Sequence, residues 1–164
     1  MAIPSCPSCR TAKVRPAPIR SVSDRVLGFF LVTPFRCQLC GLRFRQLLRQ
    51  RIALTRRHFE RIPVRYPVWF QTKLSIRSGE TFQGTVENLS IRGCRIRSAV
   101  SFPIGTRLRL EFLPSPHTFP ITVDGAIVRS RMEDVVGLRF VALLREEERR
   151  ISHIVNLKLP NPAV

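Results

Sequence analysis

The clearest pattern in the chain is an alternation of apolar and polar residues that recurs from residue 62 to residue 142. In the run from Ile62 to Phe70, apolar side chains occupy every second position, which is typical of a β-strand with one buried face. Shorter runs of the same kind follow, and turn-forming segments such as RSGE, SFPIGT and RMED separate them. The predicted strands are Val64–Ile76, Phe82–Leu89, Cys94–Ser98, Arg107–Phe112, Ile121–Ser130 and Val135–Ala142. Six antiparallel strands without intervening helices predict a mainly β fold, a small closed six-stranded barrel.

The last part of the chain changes to a helical pattern. In the segment LREEERRISHIVNLKL, apolar residues form an interrupted stripe at helical spacing, and three glutamates fall in its first turn. Negative charge is favourable there because the N-terminus of a helix carries partial positive charge. We therefore expect a C-terminal helix that covers one face or one end of the barrel.

Four of the five cysteines precede the predicted barrel as two Cys-x-x-Cys pairs, CPSC and CQLCG. Two such knuckles can supply four thiolates to one tetrahedral, structural Zn²⁺. The predicted ligands are Cys6, Cys9, Cys37 and Cys40. A redox-active motif is the alternative, but that motif usually opens a helix in a βαβ unit, and the pattern around these pairs indicates paired short strands instead.

The segment that carries these pairs, roughly residues 2–46, resembles a zinc ribbon. The loop between its pairs is longer than the usual spacing of about 15–20 residues, so an inserted hairpin or short helix is needed. Arg10 departs from the pattern, because many ribbons have glycine there, whereas Gly41 fits it. We expect a zinc-ribbon-like module over residues 1–46, a linker over 47–55 and the barrel with its helix over 56–164. Cys94 lies in a predicted strand and is expected to be a core residue.

Charge indicates the kind of partner. The 164 residues carry a formal net charge of +17, which favours an anionic partner: a nucleotide, a nucleic acid or anionic lipid. Several arginines surround and follow the second cysteine pair, and they are either a nucleic-acid surface or a solvated basic face. These arginines are Arg36, Arg43, Arg45, Arg49 and Arg51.

Other classes of protein fit the sequence poorly. The longest apolar run, VLGFFLV, is much shorter than the about 20 residues of a spanning helix, so no membrane span is expected. The N-terminal residues lack the pattern of a signal peptide, which favours a cytoplasmic chain with reduced cysteines. No nucleophile–base pair is recognisable and acidic residues number only 11, so we do not expect an enzyme.

The lead-in to the first strand contains Arg57-x-x-x-Arg61, with Arg56 directly before it. About thirty residues later the sequence NLSIRG places Asn88, Ser90 and Gly93 in an N-x-S-x-x-G pattern, and VGLRFVAL lies in the last predicted strand. In this order and spacing, the three segments resemble the PilZ domain, the bacterial receptor module for cyclic di-GMP. The resemblance covers roughly residues 55–156.

The resemblance implies a six-stranded barrel with a C-terminal helix, and cyclic di-GMP as its ligand. The ligand-binding residues that it implies are Arg57, Arg61, Asn88, Ser90 and Gly93, with Arg56 as a frequent additional arginine. Guanidinium groups suit this ligand, because they form bidentate bonds both to phosphate oxygens and to the O6/N7 edge of guanine.

Two functions remain open on the sequence alone. The favoured one is a cyclic di-GMP receptor that transmits ligand binding to a downstream protein partner of unknown identity. The alternative is a basic zinc-ribbon protein that binds nucleic acid and carries a degenerate PilZ barrel. A purely structural interaction module is a lesser third.

Overall fold

The computed structural model describes residues 4–19, 21–47, 59–72 and 80–160. The chain divides into two compact units, one formed by Met1–Glu60 with Asn156–Val164 and the other by Arg61–Val155. The predicted linker, residues 47–55, lies almost wholly outside the described residues. The boundaries expected from the sequence therefore stay a prediction.

The first unit contains a three-stranded antiparallel sheet in the order β1-β2-β3. Its elements are β1 (Val14–Pro16), helix α1 (Val22–Phe29), β2 (Val32–Cys37) and β3 (Arg43–Leu47). Helix α1 is the inserted element that the long inter-pair loop required. The sheet buries a small core around Val14 and Phe35, and the rings of Phe35 and Phe44 stack with centroids 5.9 Å apart.

Helix α1 turns a polar side chain inward and apolar side chains outward. The Ser21 side chain caps its N-terminus by accepting a hydrogen bond from the Asp24 amide. The Asp24 side chain is only 2 % exposed and forms ion pairs with Arg43, at 2.5 Å, and Arg45, at 2.8 Å. Val22 and Phe29 on the opposite side are more than 70 % exposed. A buried double ion pair therefore attaches the helix to strand β3.

The second unit is the closed barrel that the alternation predicted. Its strands follow the order β4-β5-β6-β9-β8-β7, and pairing of β4 with β7 closes it. The strands are β4 (Ile62–Thr72), β5 (Phe82–Ser90), β6 (Gly93–Arg97), β7 (Arg107–Phe112), β8 (Ile121–Met132) and β9 (Val135–Ala142). All six predicted strands are confirmed. The predicted extension of the first strand to Ile76 lies outside the described residues.

The barrel interior is filled by the residues of one strand parity. In β4, side chains alternate between buried and accessible positions from Ile62 to Phe70. Phe70 and Phe112 are fully buried, and the rings of Tyr66 and Phe112 stack at 6.3 Å. A closed barrel has no free strand edges. Its core is therefore formed by the alternating apolar positions of the strands, which the turns connect.

The C-terminal helix is also confirmed, as α2 (Arg145–Lys158). It buries Ile151 and Val155, and three glutamates occupy its first turn as expected. The Nζ of Lys13 donates hydrogen bonds to the carbonyl oxygens of Asn156 and Leu159 at the helix end. A cation there satisfies carbonyl groups that lack intrahelical partners.

We expect Phe112→Ala to lower the free energy of unfolding of the barrel by about 3–5 kcal/mol, because a fully buried ring leaves a cavity. Phe119→Ala is the matched control, since Phe119 is 87 % exposed, and its effect should be close to zero. Urea titration followed by the fluorescence of Trp69, the single tryptophan, measures both variants. Equal stability of the two would contradict the observed packing.

We expect Asp24→Asn to lower the opening free energy of helix α1 by about 2 kcal/mol, since it removes the anion from both arginines. The figure stays below that of a fully buried pair because the Arg45 side chain is 45 % exposed. Amide hydrogen exchange of residues 22–29 reports the change. Asp124→Asn, which loses only a long exposed contact with Arg109, should leave the exchange of α1 unaltered.

Candidate functional site

The N-x-S-x-x-G pattern forms the turn between β5 and β6. Ser90 and Gly93 are directly paired across the hairpin, and Ile91 and Arg92 lie between them. The buried Ser90 hydroxyl donates a hydrogen bond to the carbonyl oxygen of Gly93 at 3.0 Å. Its proton is therefore used within the turn, and its oxygen lone pairs remain as acceptors.

Gly93 is required by the neighbouring strand. A Cβ at this position would lie 2.2 Å from the carbonyl oxygen of Leu138 on β9, a distance that real Cβ atoms do not reach. Its φ is not in the left-handed region. Close contact between β6 and β9 is therefore the reason for glycine at this position.

Asn88 carries an unsatisfied polar atom. Its Oδ1 is buried and accepts no hydrogen bond from any residue that the structure describes. An unpaired buried acceptor costs about 1–3 kcal/mol and is uncommon in native structures. Asn88 lies one strand position before the core residue Leu89, and a ligand with N–H donors would satisfy its Oδ1.

Arg61 lies beside the same hairpin. It directly precedes β4, whose next two residues, Ile62 and Pro63, pair with Leu89 and Asn88. Burial raises the pKa of the Cys94 thiol to about 12, and the positive charge of Arg61 opposes that rise. The charge of Arg61 therefore acts on the residue that follows Gly93 in β6. Arg56 and Arg57 lie outside the described residues.

Sequence analysis missed two arginines on this surface, Arg95 and Arg139. Arg95 is directly opposite Asn88, so these two side chains project from the same face of the sheet. Arg139 is directly opposite Gly93, which has no side chain. Within the described part of the chain neither arginine has a recorded ion pair. Arg97, two residues beyond Arg95, instead binds Glu87 at 2.6 Å and also Asp134. Strand alternation could place Arg95 and Arg97 on one face but could not show which of them is already neutralised.

The four predicted metal ligands converge in the first unit. Their sulfur atoms all lie within 4.8 Å of one another. The Cys6 and Cys40 sulfurs are 3.6 Å apart, and the Cys9 and Cys37 sulfurs are 3.5 Å apart. These separations exceed a disulfide bond of about 2.05 Å. They suit four sulfurs about 2.3 Å from one tetrahedral ion. This cluster could therefore hold a metal ion.

The two knuckles that carry the cysteines have matching backbones. The Cys6 amide donates to the Thr11 carbonyl at 2.8 Å, and the Cys37 amide donates to the Leu42 carbonyl at 2.9 Å. Gly41 has φ 76°, and Arg10, at the equivalent position, has φ 56°. The departure from the ribbon pattern is thus accommodated by placing a non-glycine residue in the left-handed region, at a cost of about 1–2 kcal/mol.

The electrostatics of the knuckles also indicate a cation. Burial raises the pKa of the Cys9 and Cys37 thiols above the ordinary value. Burial opposes ionisation of Cys6 too, but amide N–H groups of Cys9 and Ser8 and the neighbouring sulfurs bring its pKa down to about 7. Four thiolates this close repel one another, so full ionisation of the cluster needs a positive ion at its centre.

The arginines near the second knuckle are largely engaged. Arg43 and Arg45 bind Asp24, and Arg36 donates to the Gly41 carbonyl at 3.1 Å. The others, Arg49 and Arg51, lie outside the described residues. In the described part of the first unit, intramolecular partners therefore reduce the surface available to nucleic acid.

No helix that the structure describes is long and apolar enough to cross a bilayer.

The structure combines a closed six-stranded antiparallel barrel, a C-terminal helix and a polar hairpin between β5 and β6. The sequence model of the PilZ domain matches residues 55–157, well over half of the chain. The chain belongs to the PilZ domain family.

Solved structures with a similar fold include two bacterial proteins. The Bacillus subtilis inhibitor of motility, MotI/DgrA, is 18 % identical; the match covers 77 % of this chain and 66 % of that chain, with a TM-score of 0.55. Escherichia coli YcgR in complex with c-di-GMP is also 18 % identical, with coverage of 86 % and 71 % and a TM-score of 0.50. At these identities the likeness shows the fold alone. Among curated proteins no sequence matches significantly.

Proposed function

We propose that this chain is a receptor for cyclic di-GMP, not an enzyme, and that the hairpin between β5 and β6 is its binding surface. The observation that carries the proposal is the buried, unpaired Oδ1 of Asn88 beside the exposed Arg61. Family membership supports it, as does the E. coli relative of the same fold, which is a complex with c-di-GMP.

The chemistry of the ligand matches this surface. Cyclic di-GMP has two phosphodiesters, which only accept hydrogen bonds, and two guanines, whose N–H groups donate them. Asn88 and Ser90 offer acceptor atoms, so both suit a guanine edge. Gly93 keeps the floor free of a side chain, and a planar base can approach it closely.

The arginines supply the positive partners. Arg61, together with Arg56 and Arg57, would bind phosphate oxygens or the O6/N7 edge of guanine in bidentate fashion. We add Arg95 and Arg139 to this set, since each is opposite a motif residue and has no recorded ion pair in the described chain. Ligand binding would then be transmitted to a downstream protein partner. Because the ligand is an intracellular second messenger, the receptor would be cytoplasmic.

We also propose that Cys6, Cys9, Cys37 and Cys40 hold one structural Zn²⁺. Four cysteine sulfurs in tetrahedral spacing leave no open coordination position, so the ion would have a folding role. The first unit has only a small apolar core around Val14 and Phe35, and metal binding would supply the stability that this core lacks.

We expect Arg61→Ala, Asn88→Ala and Arg95→Ala each to weaken cyclic di-GMP binding by about 1–3 kcal/mol, since each removes a direct polar contact. Arg97→Ala is the matched control, because Arg97 is on the same strand face as Arg95 but already has two acidic partners. Calorimetric titration of zinc-loaded protein measures all four.

Absence of heat in the wild type at high micromolar ligand would overturn the receptor proposal. Tight binding of DNA or RNA at physiological salt, with a steep loss of affinity as salt rises, would support the nucleic-acid alternative instead. Binding of a small dianion through a few arginines should depend much less on salt.

We expect elemental analysis to find one zinc per chain, retained in Cys94→Ser and lost in Cys37→Ser. Both cysteines are fully buried, so the two substitutions are matched in burial, but Cys94 lies in the barrel and outside the sulfur cluster. Full zinc occupancy in Cys37→Ser would show that the ligand set is wrong.

A further inference from the structure

We propose that the second cysteine knuckle positions Arg61 for cyclic di-GMP, so that metal binding and ligand binding are thermodynamically coupled. The inference rests on the proposed function and assigns positioning roles to Gln38, Arg36 and Arg15. None of the three was expected to act on the ligand site.

Gln38 lies between the two cysteines of the second pair and is only 3 % exposed. Its Oε1 accepts a hydrogen bond of 2.6 Å from the backbone amide of Glu60, and its Nε2 donates to the Arg36 carbonyl at 3.2 Å. Its own amide donates to the Lys13 carbonyl at 2.9 Å. The knuckle thus fixes the Gln38 side chain, and this side chain binds the backbone amide of Glu60, a residue distant in the sequence.

Two guanidinium groups hold the same segment. Arg15 forms an ion pair of 3.2 Å with Glu60, and the Arg36 guanidinium lies over the Phe59 ring, 5.3 Å from its centroid. Arg15 and Arg36 are directly paired on β1 and β2, so they project from one face of the sheet. Strand β2 ends at Cys37, a metal ligand of the knuckle.

The segment that these contacts hold is the interior of the arginine motif. Phe59 and Glu60 lie between Arg57 and Arg61 in the sequence. Consecutive Cα atoms are about 3.8 Å apart, so an anchored Glu60 confines the backbone of Arg61. On the other side of Arg61, Ile62 is fixed by its pairing with Leu89. Each neighbour of this predicted ligand-binding residue is therefore held within its own unit.

Loss of the metal should remove one of these anchors. Without the ion the knuckle has little to hold its shape, and Gln38 would no longer be presented to the Glu60 amide. Arg61 would then be less ordered before the ligand binds. It would lose more conformational freedom on binding, and the affinity for cyclic di-GMP would fall. Linkage requires the reverse effect to be equal: ligand must raise the affinity of the knuckle for the metal by the same factor.

The test compares Gln38→Met with Gln46→Met in full-length, zinc-loaded protein. Gln38→Met keeps the side-chain length but removes the acceptor of the Glu60 amide, whereas Gln46 is exposed on β3. We expect about tenfold weaker cyclic di-GMP binding in Gln38→Met, the loss of one buried hydrogen bond, and wild-type affinity in Gln46→Met. In the wild type, competition with a chelator should show tighter zinc binding by about the same factor in saturating ligand.

A wild-type protein that does not bind cyclic di-GMP overturns the receptor proposal and this coupling together. A wild type that binds it, with Gln38→Met equally tight and zinc affinity independent of ligand, overturns the coupling alone. If Gln38→Met fails to fold, Arg15→Gln provides a second test. It removes the ion pair with Glu60 and lies outside the two cysteine pairs. A few-fold loss of ligand affinity with full zinc supports the coupling, and unchanged affinity contradicts it.

Discussion

The antiparallel pairing of β4 with β5 is the contact on which the candidate site depends. It places Ile62 opposite Leu89 and Pro63 opposite Asn88, so Arg61 and the hairpin that carries Ser90, about thirty residues apart in sequence, lie at one end of the paired strands. The same pairing, together with the pairing of β4 with β7, closes the sheet. Because side chains alternate across a strand, a shift of one residue would bury the motif residues and expose the core. The apolar alternation therefore sets the geometry of the polar surface.

Acidic residues determine which arginines of this very basic chain are available. Arg97 has Glu87 and Asp134, Arg92 has Glu148, and Arg43 and Arg45 share Asp24. Arg95 and Arg139 have no such recorded partners in the described chain, and they lie opposite Asn88 and Gly93. The chain has only 11 acidic residues against 28 lysines and arginines, so carboxylates neutralise some arginines and leave others for an anionic ligand.

The first unit is organised mainly by polar and sulfur contacts. A double ion pair to Asp24 holds its helix, four sulfurs meet at its knuckles, and Gln38 fixes the Glu60 amide. A unit with so few buried apolar side chains cannot rely on the hydrophobic effect alone. Its contacts to Phe59 and Glu60 are the basis of the coupling that we propose between the cysteine cluster and Arg61.

The sequence by itself determined the six strands and the terminal helix, because period-two alternation, turn residues and first-turn glutamates are local signals. It also singled out four cysteines whose sulfurs the structure brings within 4.8 Å. Only the tertiary structure decided the rest. The unpaired Oδ1 of Asn88, the close contact that requires Gly93, the difference between Arg95 and Arg97, and the hold of Gln38 on Glu60 all depend on partners distant in the sequence. Such pairings follow from strand register and three-dimensional packing, which no local pattern specifies.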